Sequence, residues 1–171
     1  MKRLNLIWLP IILWAGIIFM LSSQPYEKQS LRPFITDNIN LKWISYFFSN
    51  FSITYAGRVI SIDTVGPIGF LEFILRKGAH LFVFFVLGLL LYRALISIIS
   101  SRQFLSFMVS LFLVVFYAAA DEYHQMFTDN RTPLIHDVFL DILGGLLGIY
   151  VSSILYKRTV MIKSKLSLPS K

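Results

Sequence analysis

Four apolar runs divide the chain. Each comes close to the roughly 20 residues that a helix rising about 1.5 Å per residue needs to cross a hydrocarbon core of about 30 Å. The first extends from Leu4 to Leu21 with only Asn5 interrupting it; the others occupy 79–99, 104–120 and 138–156. Lys2 and Arg3 ahead of the first run give it the outline of a signal sequence. No small-x-small cleavage pattern precedes Ser22, however, so the run is expected to remain as the first span. The pattern predicts an all-α membrane protein: a four-transmembrane-helix bundle in a single membrane domain, 1–156, followed by a basic tail, 157–171, expected to be mobile.

The stretch between the first two runs, Ser22 to Leu75, is polar to aromatic and forms a long loop. Within it Trp43, Ile44, Phe47, Phe48, Phe51 and Tyr55 recur at helical spacing, with Lys42, Ser45, Ser49 and Asn50 between them. An amphipathic helix in the headgroup layer accounts for that pattern, and so does packing on the outer ends of the spans. Arg58 to Gly66 alternates weakly, as an extended segment would. Pro67 then opens a helix expected to run into the second span, with Glu72 and Arg76 one turn apart as a favourable pair.

Composition narrows the class. Of 171 residues, 56% are hydrophobic and 15% charged, whereas soluble domains hold about 45–50% and about 25%. Disorder and a separate soluble domain are both excluded. There is no cysteine, which removes disulfides, thiolate metal sites and cysteine nucleophiles. The net charge of +7 would point to nucleic acid in a soluble chain, but here the basic residues flank apolar runs and report topology, so no nucleic-acid partner is expected. Lys2, Arg3, Arg93, Arg102, Lys157, Arg158, Lys163, Lys165 and Lys171 fall on one side of the four spans with no acidic residue among them. That side is expected to be the cytoplasm, with both termini in it and the long loop outside.

Ionisable groups in a membrane segment cost several kcal/mol unless paired or wetted, so their positions carry most of the functional signal. They gather at one end. Lys77 and His80 sit three apart at the outer end of the second span; Asp121, Glu122 and Gln125 end the third; Asp137 and Asp141 begin the fourth, four apart. Three and four apart place residues on one helix face. Arg131 lies in the short turn joining the last two spans. With Arg76 counted the set holds three positive groups against four carboxylates and is nearly balanced, and one reading of it is a salt-bridge network holding helix ends together. The other is a polar pocket opening outward, able to exchange protons or bind a polar headgroup.

Catalysis and metal binding find less support. His80, His124 and His136 lie near carboxylates, but no His-Glu-x-x-His or other metal spacing is present, and no metal or other cofactor is expected. Ser22, Ser23, Thr128 and Thr132 would serve as nucleophiles only if the fold brought a base to them, and no nucleophile-elbow motif is present. Catalytic candidates are therefore Glu122 or Asp121 as base and His80 as acid. Gly144, Gly145 and Gly148, with Ala118, Ala119 and Ala120, offer small surfaces that suit close packing within the protomer better than dimerisation.

Taken in order, Lys77-Gly-Ala-His80, Phe84, Leu87-Gly88, Asp121-Glu122-x-x-Gln125-x-Phe127, Arg131 and Asp137-x-x-x-Asp141-x-x-Gly144 resemble the VanZ-like family of small bacterial membrane proteins. The first run, ending in Ser22-Ser23-Gln24-Pro25, is similar to many of its members. Asp141 stands where the family often has Asn, and Asp129-Asn130 where it often has Pro-Gly. The resemblance does not account for 26–75. It implies a protein of the cytoplasmic membrane and, from the family's named member, low-level resistance to the glycopeptide teicoplanin; it supplies no mechanism. The expected partners are the lipid bilayer and a lipid-linked cell-wall precursor, whose phosphate Arg76, Lys77 and Arg131 would contact. The competing expectation is a membrane enzyme acting on such a precursor. A proton-linked transporter fits less well, because the inner halves of the spans carry no charged residue to continue a path.

Overall fold

The computed structural model describes residues 2–99, 102–128 and 134–166. The chain is mostly helical. The first helix, α1 (Lys2–Ser22), is followed by a single 3-10 turn at Tyr26–Gln29 and two short helices, α2 (Arg32–Asn38) and α3 (Leu41–Phe48). A two-stranded antiparallel hairpin, β1 (Ser52–Tyr55) and β2 (Arg58–Ser61), leads into α4 (Ile62–Ile98). Helices α5 (Gln103–Gln125) and α6 (Ile135–Leu166) complete the fold. Among the described residues α4, α5 and α6 are long and apolar enough to cross a membrane, while the apolar part of α1, Leu6–Ser22, is shorter.

The central contact is between α4 and α6, and glycine makes it possible. A Cβ at Gly148 would overlap the carbonyl oxygen of Phe85, one at Gly144 that of Leu81, and one at Gly88 that of Gly145. Backbone therefore lies on backbone along the seam. The neighbouring Gly145 turns to α5 instead, where Val114 fills the space a side chain would need. This is the small-residue packing within the protomer that the glycine spacing predicts. Around the seam Phe84, Leu87, Val114, Ala118 and Ile149 form a buried core, which Ile11 and Ile18 of α1 join.

Two features of the entry into α4 follow from local chemistry. Ser61 caps the helix, its Oγ accepting from Thr64 N at 3.2 Å while Thr64 Oγ1 accepts from Ser61 N at 2.9 Å. At Gly66, φ is 71°, so the helix breaks just before Pro67, whose ring disfavours helical geometry in the residue preceding it. Pro67 thus opens the continuous part of α4, as the sequence predicts.

Elsewhere the structure corrects the expected outlines. The aromatic stripe is not one helix: α3 ends at Phe48, Phe51 follows it, and Tyr55 belongs to β1. Of the segment 58–66 expected to be extended, only Arg58–Ser61 is a strand, and α4 begins at Ile62; the strand pairs with 52–55 through a two-residue turn at Ala56 and Gly57 with φ of 50° and 76°, the positive pair that matches strand twist. Helix α6 runs past the expected end of the membrane domain at 156 and continues through Leu166, because neither Gly nor Pro occurs between Gly148 and Pro169 to stop it.

Gly148→Ala forces α4 and α6 apart. It is expected to lower stability in detergent by about 1–3 kcal/mol, the usual cost of overpacking. Gly16→Ala, where a Cβ meets nothing within 4 Å, is expected to change it by less than about 0.5 kcal/mol. Thermal unfolding of the two variants distinguishes a backbone seam from ordinary side-chain packing.

Candidate functional site

Up-and-down connection of α4, α5 and α6 brings the start of α4, the end of α5 and the start of α6 to one end of the molecule, and α1 ends there too. Of the polar groups predicted to cluster, those among the described residues lie at that end, in three sets.

The first joins α1 to α5. Ser22 Oγ donates to Asp121 Oδ2 at 2.7 Å, and Gln125 Nε2 donates to the same oxygen at 2.9 Å and to Ser22 Oγ at 2.8 Å. All three residues are buried, so this closed triangle satisfies groups that would otherwise be costly. The hydroxyl of Ser22 is committed to Asp121. The fold does bring a base to Ser23, whose Oγ lies 2.9 Å from His124 Nε2. That Oγ also donates to Phe19 O at 2.6 Å, which leaves it an acceptor from the imidazole rather than a proton source for it. The ring of His124 stacks on Phe19 with centroids 4.4 Å apart.

A second set joins the hairpin and α4 to α6. Lys77 Nζ donates to Asp137 Oδ1 at 2.5 Å, and Tyr55 OH donates to the same oxygen. The ammonium lies 4.7 Å from the centroid of the Tyr55 ring, a cation–π contact that adds to the ion pair. Burial first, and then the hydrogen bond to Asp137 and that residue's charge, push the Tyr55 hydroxyl well above its ordinary range, so it remains a donor. One turn earlier on α4, buried Glu72 accepts from Ser30 Oγ at 3.0 Å, Leu31 N at 3.1 Å and Arg32 Nε at 2.9 Å, with Arg76 Nη2 3.9 Å away. Glu72 therefore ties the loop ahead of α2 to α4. Phe48 and Phe51 pack on Phe70, and Tyr55 packs on Phe73, which fastens α3 and the hairpin to the same helix.

The third set lies behind these. Glu122 Oε1 accepts from Leu134 N, and His80 Nδ1 is 3.4 Å from Asp141 Oδ1, an ion-pair distance when the ring is protonated. Asp141 is fully buried. Its two oxygens and Glu122 Oε2 have no hydrogen-bond partner among the described residues.

A cleft of about 460 Å³ opens over the second set. Arg32, Arg58, Arg76 and Lys77 line it against Glu72 and Asp137, with His80 and Gln125 also in its wall. The cleft is therefore net positive, and its size falls in the ~300–1,000 Å³ range of small-molecule sites. Of the sequence candidates, Lys77, His80, Gln125 and Asp137 reach it; Asp121 turns to α1; Glu122 and Asp141 stand behind; Arg131 lies outside the described residues. No group of three or more His, Asp or Glu side chains able to hold a metal occurs among the described residues. Sequence reasoning missed Arg32, Arg58 and the role of Tyr55. Ser-Ile-Thr-Tyr and Arg-Val-Ile-Ser flanking Ala-Gly is the signal for the hairpin that carries two of the three.

Asp121→Ala leaves the buried Ser22 hydroxyl without its acceptor and Gln125 with one acceptor of two, and is expected to destabilise the protein by about 1–3 kcal/mol. Adding Ser22→Ala is then expected to cost less than Ser22→Ala does alone, because the Ser22–Asp121 bond is already lost and only the bond from Gln125 remains to be broken. Unfolding midpoints of the two single variants and the double variant check this; strictly additive losses would contradict the triangle.

The chain matches the family model described as VanZ/LLP1 over residues 7–156. No curated protein and no solved structure matches it. The match takes in α1 from residue 7, the loop elements and all the described polar residues of the site. With most of its length and its three long apolar helices accounted for, the chain is a membrane protein belonging to the VanZ/LLP1 family.

Proposed function

We propose that the protein acts at the outer face of the cytoplasmic membrane, where its cleft receives an anionic headgroup of a lipid-linked cell-wall precursor and thereby lowers susceptibility to glycopeptides such as teicoplanin. In this reading α1, α4, α5 and α6 are the four spans, both termini are cytoplasmic, and α3 lies in the headgroup layer. The basic residues on the inner side, unaccompanied by acidic ones, support that orientation. Trp43, Tyr46 and Phe47 of α3, all exposed, suit the interface.

The observation that carries the reading is the cleft itself: four basic side chains against two carboxylates, at the end where the helix termini converge. Arginine and lysine there supply charge-assisted donors to phosphate, with Arg76 and Lys77 on one wall. His80, with Asp141 behind it, supports a second reading, an enzyme acting on the same precursor with His80 transferring a proton. Analysis of a radiolabelled precursor after incubation with purified protein separates the two: a new product establishes the enzyme, and unchanged precursor leaves binding alone.

In a Gram-positive host without close relatives, expression of the wild type is expected to raise teicoplanin tolerance, and Lys77→Gln at equal membrane level is expected to abolish the gain. Susceptibility testing beside vancomycin measures both. Absence of any gain from the wild type would withdraw the resistance claim, and full retention by Lys77→Gln would take the cleft out of it.

A further inference from the structure

A second cavity, of about 320 Å³, adjoins the cleft between α1 and α4. Ile18 and Leu21 of α1, Leu75, Ala79 and Val83 of α4, and Leu31 from the loop form most of its wall; Ser22, Gln29 and Asp121 also line it. Arg76 and His80 line both spaces, so the two share a wall with a cation in it. One compartment is basic and polar, the other almost wholly apolar.

The apolar crevice is a built feature. Hydrogen bonds fix α1 at both ends of it: Trp14 Nε1 donates to Val83 O at 2.8 Å on the inner side, and Ser22 is held by Asp121 and Gln125 on the outer side. Tyr117 OH adds a bond to Ala15 O at 2.6 Å. Ile18 lies between these anchors, where α1 stands off from α4. The loop is tied down beside it, through Gln29 Nε2 donating to Leu21 O and Leu31 N donating to Glu72. Water in such a space would find few polar partners, whereas a hydrocarbon chain would be favoured in it by the apolar lining.

We infer that the protein binds one molecule of an anionic, phosphate-bearing amphiphile, its phosphate at Arg76 in the cleft and one apolar chain in the crevice between α1 and α4. The inference rests on the reading of the cleft as an anion site and adds to it a chain-binding subsite. Charge complementarity selects the occupant: a neutral lipid would fill the crevice but leave the cleft's positive charge unused. Anionic glycerophospholipids and polyprenyl phosphates share the required chemistry, whereas zwitterionic phosphatidylcholine carries no net negative charge.

The test uses the purified full chain and native mass spectrometry with four probes: phosphatidylglycerol, a polyprenyl phosphate, phosphatidylcholine and chainless glycerol phosphate. One anionic lipid is expected to be retained about tenfold better than phosphatidylcholine, and the stronger of the two anionic probes identifies the source. Ala79→Trp, which fills the crevice, is expected to lose the lipid about tenfold while keeping glycerol phosphate. Leu75→Phe serves as a second filling variant should the first not fold. Arg76→Gln is expected to lose both. If crevice-filling variants retain lipid as the wild type does, the chain subsite is overturned and the anion site survives. If the wild type retains no anionic probe, or Arg76→Gln changes nothing, the cleft reading itself falls and the inference with it.

Discussion

Backbone contact between α4 and α6 fixes the geometry on which the polar end depends. Because Gly88, Gly144 and Gly148 carry no side chain, the two helices meet at a separation that no Cβ at these positions would permit. Close approach also fixes rotation. Each helix turns its polar residues to a definite neighbour: Lys77 to Asp137 and His80 to Asp141, both across this seam. A larger residue at Gly144 or Gly148 would separate the ion pairs as well as the helices, so packing in the apolar part and electrostatics at the end are one constraint.

Ionisable groups at the end of a bundle cost free energy unless they are compensated, and this chain compensates them unequally. Asp121 accepts from two donors and Asp137 from two, while Glu72 accepts from Ser30, Leu31 and Arg32. These pairings hold α1, the hairpin and the loop to the three long helices, and so account for the structural part of the cluster. They do not involve Asp141 and Glu122 Oε2, which have no hydrogen-bond partner among the described residues, although His80 Nδ1 lies 3.4 Å from Asp141 Oδ1. Buried polar groups left in this way call for a specific explanation, and a functional role is one of them. His80 itself lines the cleft.

How much of this the sequence reveals depends on the range of the interaction. The long helices are legible because twenty consecutive apolar residues have few other solutions, and the polar end is legible because spacings of three and four project onto one face. Partner identity is not. Whether Asp121 turns to Ser22 or toward the cleft depends on helix rotation, which glycines far along the chain determine. The loop fails for another reason: Phe48, Phe51 and Tyr55 repeat at helical spacing because all three pack on α4, although they lie on a helix end, a connection and a strand. Contact with a common partner imitates the period of a helix. Arg32 and Arg58 reach the cleft only through that folded loop; the local sequence signals the hairpin that carries Arg58 but not the cleft it faces.

The central claim is that this polar end faces outward while the far end of α6 faces the cytoplasm. Because the chain has no cysteine, a single introduced thiol reports one position without interference. Thr54→Cys, on the exposed side of the hairpin, and Ile162→Cys, exposed near the end of α6, place one reporter at each end. The most direct measurement is labelling of each variant by a membrane-impermeant maleimide. The thiol at position 54 is expected to react in intact cells, and that at position 162 only after the membrane is opened. Reaction of 162 but not 54 in intact cells, or the same accessibility at both, would contradict the account.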